Sequence, residues 1–178
     1  MLRSIVVLCW IASSAFAQEK PERLTVRIVG LFAPDREADL RTAFIDVPEV
    51  KLISIDYKLA EMTLEFTPKT AFPGAKPPQY VERLDQKVRS VSQSTFSVEA
   101  QRKLSREKLN EVLILAPGLD CKACSLAAYE AIAKLDGVER ATVNFKEGKI
   151  RVTIDPTKTA VAKLEEALRK KGVTIPKK

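Results

Sequence analysis

The chain has no histidine among its 178 residues. That absence removes imidazole metal sites, Ser-His-Asp and Cys-His catalysis, and the commonest general base. A glycine-rich phosphate loop is missing too. Acidic neighbours such as Glu165-Glu166 fit the solvent face of a helix better than an acid/base pair, so the chain is expected not to be an enzyme. Cysteine is scarce, with three in all, Cys9, Cys121 and Cys124. No apolar run reaches the roughly 20 residues of a membrane-spanning helix; the stretch Ile5 to Ala17 falls short. The formal charge is +7, but most Lys and Arg alternate with Asp and Glu. A dispersed balance of that kind describes a solvated surface rather than a nucleic-acid footprint, and no nucleic-acid partner is expected.

The first residues have the layout of a secretory leader. Arg3 supplies the positive start, Ile5 to Ala12 the apolar centre, and Ala15-Phe16-Ala17 the small-x-small pattern before Gln18. Residues 1–17 are therefore expected to be a signal peptide that takes Cys9 with it. The mature protein is expected to be secreted or periplasmic, with no stable membrane insertion after cleavage. Cys121 and Cys124 then remain as the thiols of the mature chain.

The chain also repeats itself at an offset of about 88 residues. Gly30-Leu31 corresponds to Gly118-Leu119, Phe44 to Ile132, Val47 to Leu135 and Val50 to Val138. Further on, Ile55, Tyr57, Met62, Leu64, Phe66 and Pro68 correspond to Val143, Phe145, Ile150, Val152, Ile154 and Pro156. A slip of eight follows in the Pro/Gly-rich stretch 68–78, where loops absorb insertions cheaply. After it Val81, Leu84 and Val88 match Val161, Leu164 and Leu168. Each copy reads as β-α-β-β-α-β. In the second, Ala141, Val143 and Phe145 alternate with a wet face of Arg140, Thr142 and Asn144, and a hairpin turns at Lys146-Glu147-Gly148. A helix over Val161 to Leu168 is expected to be capped by Thr157 or Thr159 at its start and Gly172 at its end. The fold class is thus α+β, two tandem ferredoxin-like βαββαβ domains, each a four-stranded antiparallel sheet with two helices on one face.

The chemistry concentrates at Gly118-Leu119-Asp120-Cys121-Lys122-Ala123-Cys124. This loop follows the apolar run Val112 to Leu115 and precedes Cys124, Ala128, Ala131, Ile132 and Leu135 at helical spacing. Two cysteines at a helix start face its free N–H groups and positive dipole end, and Lys122 adds charge; all three favour thiolates, the form a soft metal requires. In the first copy Ala33 and Arg36 stand where the cysteines would be, and Pro34 keeps the helix start. Residues 99–110, with Arg102, Lys103, Arg106 and Lys108, read as the end of a helix plus a charged linker with solvated faces.

Over residues 110–175 this succession resembles the heavy-metal-associated domain of copper chaperones, periplasmic mercury-binding proteins and soft-metal P-type ATPases. That family reads G-M-x-C-x-x-C after a first strand, then a helix, a Gly-Val turn into a strand pair, a second helix ending in Gly and a last short strand. The resemblance implies residues 18–98 as a degenerate copy lacking cysteines, 99–110 as the linker and 111–178 as the metal-binding domain. It implies Cys121 and Cys124 as ligands of one soft ion, Cu(I) or Zn(II) ahead of Hg(II) and Cd(II), exchanged with a metal-donating or metal-accepting protein or sequestered. Three positions depart from the pattern. Leu119 replaces the Met that packs beneath the family's loop, and Val173 stands where Lys, Tyr or Phe often lies near the metal. Asp120 is the variant the family associates with divalent ions, and is either a third ligand or the cap of the following helix. Two other functions compete with metal carriage: an extracytoplasmic thiol/disulfide redox module, and a structural pair of domains with a vestigial site.

Overall fold

The computed structural model describes residues 20–101, 106–119 and 121–176. The expected signal peptide, Arg102, Lys103 and Asp120 lie outside the described residues. The first half runs β1 (Glu22–Val29), α1 (Arg36–Ile45), β2 (Val50–Asp56), β3 (Glu61–Phe66), a one-turn α2 (Pro68–Ala71), α3 (Tyr80–Val91) and β4 (Ser97–Ala100). Its strands form an antiparallel sheet in the order β2-β3-β1-β4. The second half runs β5 (Asn110–Leu115), α4 (Lys122–Ala133), β6 (Val138–Asn144), β7 (Lys149–Ile154) and α5 (Val161–Lys170), with sheet order β5-β7-β6.

The 88-residue offset carries the strand register. Val26 faces Met62 and Leu24 faces Leu64 in the first sheet, as Ile114 faces Ile150 and Val112 faces Val152 in the second. In both central strands every second residue is buried, Met62, Leu64 and Phe66 in β3 and Ile150, Val152 and Ile154 in β7. That period of two puts one face of each sheet under helices. Leu84 and Val88 of α3 and Leu164 and Leu168 of α5 are the matching buried stripes, and all four are fully enclosed. The α+β arrangement read from the sequence, helices packed on antiparallel sheets, is present.

Four expectations change. The second sheet has three strands among the described residues, because the chain after α5 is spent on ending that helix. Gly172 adopts φ +79°, its N–H bonds Arg169 O at 2.9 Å, and Val173 N–H turns back to Leu168 O at 3.1 Å. This double bond closes the helix. Pro176, just beyond, has no N–H to offer a ladder. Second, Glu99 and Ala100 belong to β4, so the segment expected as helix end and linker starts with strand, and a 3-10 turn at Arg106–Lys108 precedes β5. Third, neither Thr157 nor Thr159 caps α5. Its cap position is Ala160 without a side-chain bond, while Asp155 folds the approach by accepting Thr157 N–H at 2.9 Å and Thr157 Oγ1–H at 2.6 Å. Fourth, Arg140 is not on a wet face. A β-bulge between Val138 and Arg140 rotates the strand and sends the guanidinium toward the first half.

Candidate metal centre

Cys121 is the N-cap residue of α4, with extended backbone at φ −146° and ψ 160°. Its sulfur accepts the N–H of Cys124 at 3.1 Å, and its carbonyl accepts Ser125 N–H at 3.0 Å. The cap position read for Asp120 is therefore filled by Cys121. A sulfur there receives a backbone N–H and meets the positive end of the helix dipole, both of which stabilise negative charge on it. Cys121 and Cys124 are half-buried, their Cα atoms are 5.1 Å apart, and they are joined as a disulfide. In that oxidised state the sulfurs carry no charge and offer no thiolate.

Leu119 is 4% exposed beneath the loop and belongs to the second core, so leucine fills the place the family gives to methionine. Val173 is buried in the same core. Lys122 pairs with the first half, its Nζ 3.4 Å from Asp35, in a largely exposed pair. Met62 is sealed in the first core and cannot reach the loop. Among the described residues no group of three or more His, Cys, Asp or Glu could hold a metal ion. The structure thus brings together two sulfur donors. A two-coordinate soft ion needs no more, whereas a tetrahedral ion must take further ligands from elsewhere.

The corresponding loop of the first half, residues 30–36, is built differently and lies against the second half. Arg36 replaces the second cysteine and folds back, its guanidinium 4.3 Å from the centre of the Phe96 ring and 2.5 Å from Asp39. Phe32 is 7% exposed and packs in the second core rather than the first, its ring 5.3 Å from that of Tyr129 on α4. Gly30 N–H donates to Tyr129 Oη at 2.7 Å, and Val143 N–H of β6 donates to Phe32 O at 3.0 Å. Burial raises the Tyr129 pKa, so this hydroxyl stays protonated and accepts through its lone pairs.

Two arginines span the same boundary. Arg27 bonds Glu99 at 2.6 Å and Glu139 O at 2.6 Å, and Arg140 bonds Tyr57 O at 2.9 Å with its guanidinium 4.8 Å from the Tyr57 ring centre. Burial lowers the Arg140 pKa, and the neighbouring tyrosine ring and carbonyls offset that penalty. Sequence reasoning missed Phe32, Tyr57, Tyr129 and Arg140. The available signal was an aromatic residue, Phe32, in a loop that had lost its chemistry.

Fold and site together define an α+β protein of ferredoxin-like topology with a two-cysteine loop at a helix start. The family described as heavy-metal-associated domain matches residues 113–174. The mercuric transport protein periplasmic component of Pseudomonas fluorescens is 39% identical over 61 residues, which are 34% of this chain and 67% of that protein. The copper chaperone CopZ of Staphylococcus epidermidis is 31% identical over 67 residues, 38% of this chain and 98% of that one. Among solved structures, oxidized MerP from Ralstonia metallidurans CH34 shares 32% identity over 39% of this chain and 99% of its own, with a TM-score of 0.36. The chain belongs to the heavy-metal-associated domain family. Among the described residues no helix is long and apolar enough to cross a membrane.

Proposed function

We propose that this chain is an exported metal-binding protein that holds one soft ion between Cys121 and Cys124 for transfer to a partner protein or for sequestration. The carrying observation is the placement of both sulfurs at the α4 N-terminus, with the Cys124 amide already on one of them. Loading requires that the disulfide first accept two electrons and two protons from an external dithiol reductant, giving two thiols; metal binding then releases the protons. In this reading the two halves are copies of one unit and residues 1–17 are a cleaved leader. Related proteins carry mercuric transport and copper chaperone in their names, which favours Hg(II) or Cu(I) as cargo. Zn(II) requires Asp120 plus water or a partner's group to complete four ligands. Catalysis has no part in the proposal.

The disulfide itself favours a second reading, in which the pair cycles between dithiol and disulfide as a redox module. Competitive titration of the reduced chain with Cu(I), Hg(II) and Zn(II) separates the two. Tight, stoichiometric uptake lost in Cys121→Ser and Cys124→Ser supports metal carriage, and no uptake of any ion eliminates it. Asp120→Ala weakening Zn(II) tenfold or more, about 1.4 kcal/mol, with Cu(I) unchanged identifies a third ligand. Equal change for both ions rejects that role.

A further inference from the structure

The first half carries no thiol in its loop, yet that loop engages the second half directly. Gly30 and Phe32 bond Tyr129 and Val143, Phe32 is a member of the opposite core, and Asp35 approaches Lys122. A cleft between the halves is lined by Phe32, Asp35 and Arg36 on one side and by Lys122, Ala123 and Leu126 on the other, and neither cysteine lines it. The thiol pair therefore lies off the flank of α4 that the first half covers.

We propose that loop 30–36 is a resident docking element: the thiol-free half is a built-in partner that closes this flank of α4 and the edge of β6, so other proteins reach Cys121 and Cys124 only from the opposite side. Each property of the loop suits that role. Ala33 and Arg36 offer no sulfur, so the loop sits beside the metal-bearing half without competing for its ion. Phe32 gives the contact an apolar anchor, since its ring is removed from water in the second core. The backbone bond from Val143 to Phe32 occupies an edge strand that would otherwise present an open donor. Arg27 and Arg140, buried against carbonyls across the boundary, fix orientation, because a guanidinium in low dielectric tolerates no loss of its partners. The inference is independent of which ion the thiols take, so a failed metal titration leaves it intact.

Amide exchange and ¹⁵N relaxation on the full chain test it. One shared tumbling time is expected for both halves, with the Gly30 and Val143 amides protected. Tyr129→Phe keeps the ring and removes only the hydroxyl, and should accelerate exchange at Gly30 about tenfold. Arg140→Ala should accelerate Val143 by a similar factor. In both variants the central-strand amides of Val26 and Val152 should stay unchanged, which shows that each half remains folded. Two distinct, faster tumbling times would overturn the proposal. So would unprotected Gly30 and Val143 amides in the wild-type chain, or no acceleration in either variant.

Discussion

Loops 30–36 and 118–124 each lead from the first strand of a sheet into its first helix, and each buries a leucine in its own core, Leu31 in one and Leu119 in the other. Beyond that leucine they diverge. The second loop sets two sulfurs at a helix N-terminus. The first sets an arginine back onto a ring and sends a phenylalanine into its neighbour's core. Strand-to-helix order and chemistry are thus separable: a buried leucine is kept in both loops, while neighbouring positions carry cysteines in one and a contact surface in the other.

The glycines that open the two loops give the largest expected contrast. Gly30 has φ +104°, and a Cβ there would lie 2.3 Å from Thr95 O and 2.9 Å from the Phe96 ring. Gly118 has no such conformation, and its nearest neighbour would be Thr174 at 3.4 Å. Gly30→Ala should lower unfolding stability by about 4 kcal/mol, combining backbone strain with overpacking. Gly118→Ala should stay within about 0.5 kcal/mol. Chemical denaturation of both variants checks this, and similar losses would break the contrast.

Next come the matched core residues. Leu84→Ala and Leu164→Ala each remove a fully enclosed side chain from the second helix of a half. Each should cost about 3 kcal/mol through lost burial and a cavity. Residue-resolved amide exchange should show the loss centred on β1 and β3 for Leu84→Ala and on β5 and β7 for Leu164→Ala.

The smallest effect concerns a charge pair confined to the first half. Lys87 donates to Glu49 and, as the main cause, holds the Glu49 carboxyl below its ordinary value of 4.5. A pKa depressed on folding adds stability above that ordinary value, and the contribution is lost as pH falls through the folded value. Partial exposure of both side chains keeps it under about 1 kcal/mol. Glu49→Gln should therefore unfold more easily at neutral pH and match the wild type in acid.

Much of this was readable from residues alone. The alternation in Lys149 to Ile154, the stripe Leu164 and Leu168, the Gly148 turn and the helix after Cys121 follow from period and turn chemistry, and the structure has all of them. What was not legible depended on non-local choices. A two-residue-period reading put Arg140 in water because a bulge leaves no mark on apolar alternation. Thr157 and Thr159 look like caps by type, yet α5 starts only at Val161 with Ala160 in the cap position, and Thr157 instead donates to Asp155. Among the described residues the second sheet has three strands, and the chain just after Lys170 ends α5 through the Gly172 and Val173 amides. The placement of Phe32 depends on how two halves meet, which no local pattern encodes.

On the proposed function a single soft ion is carried per chain, and only by the second loop. Native mass spectrometry of the mature chain, reduced by a dithiol and given excess Cu(I), tests it most directly. The predicted result is one ion per chain, none in the oxidised protein and none after Cys121→Ser with Cys124→Ser. An ion retained by that double variant, or two ions on the wild-type chain, would contradict it.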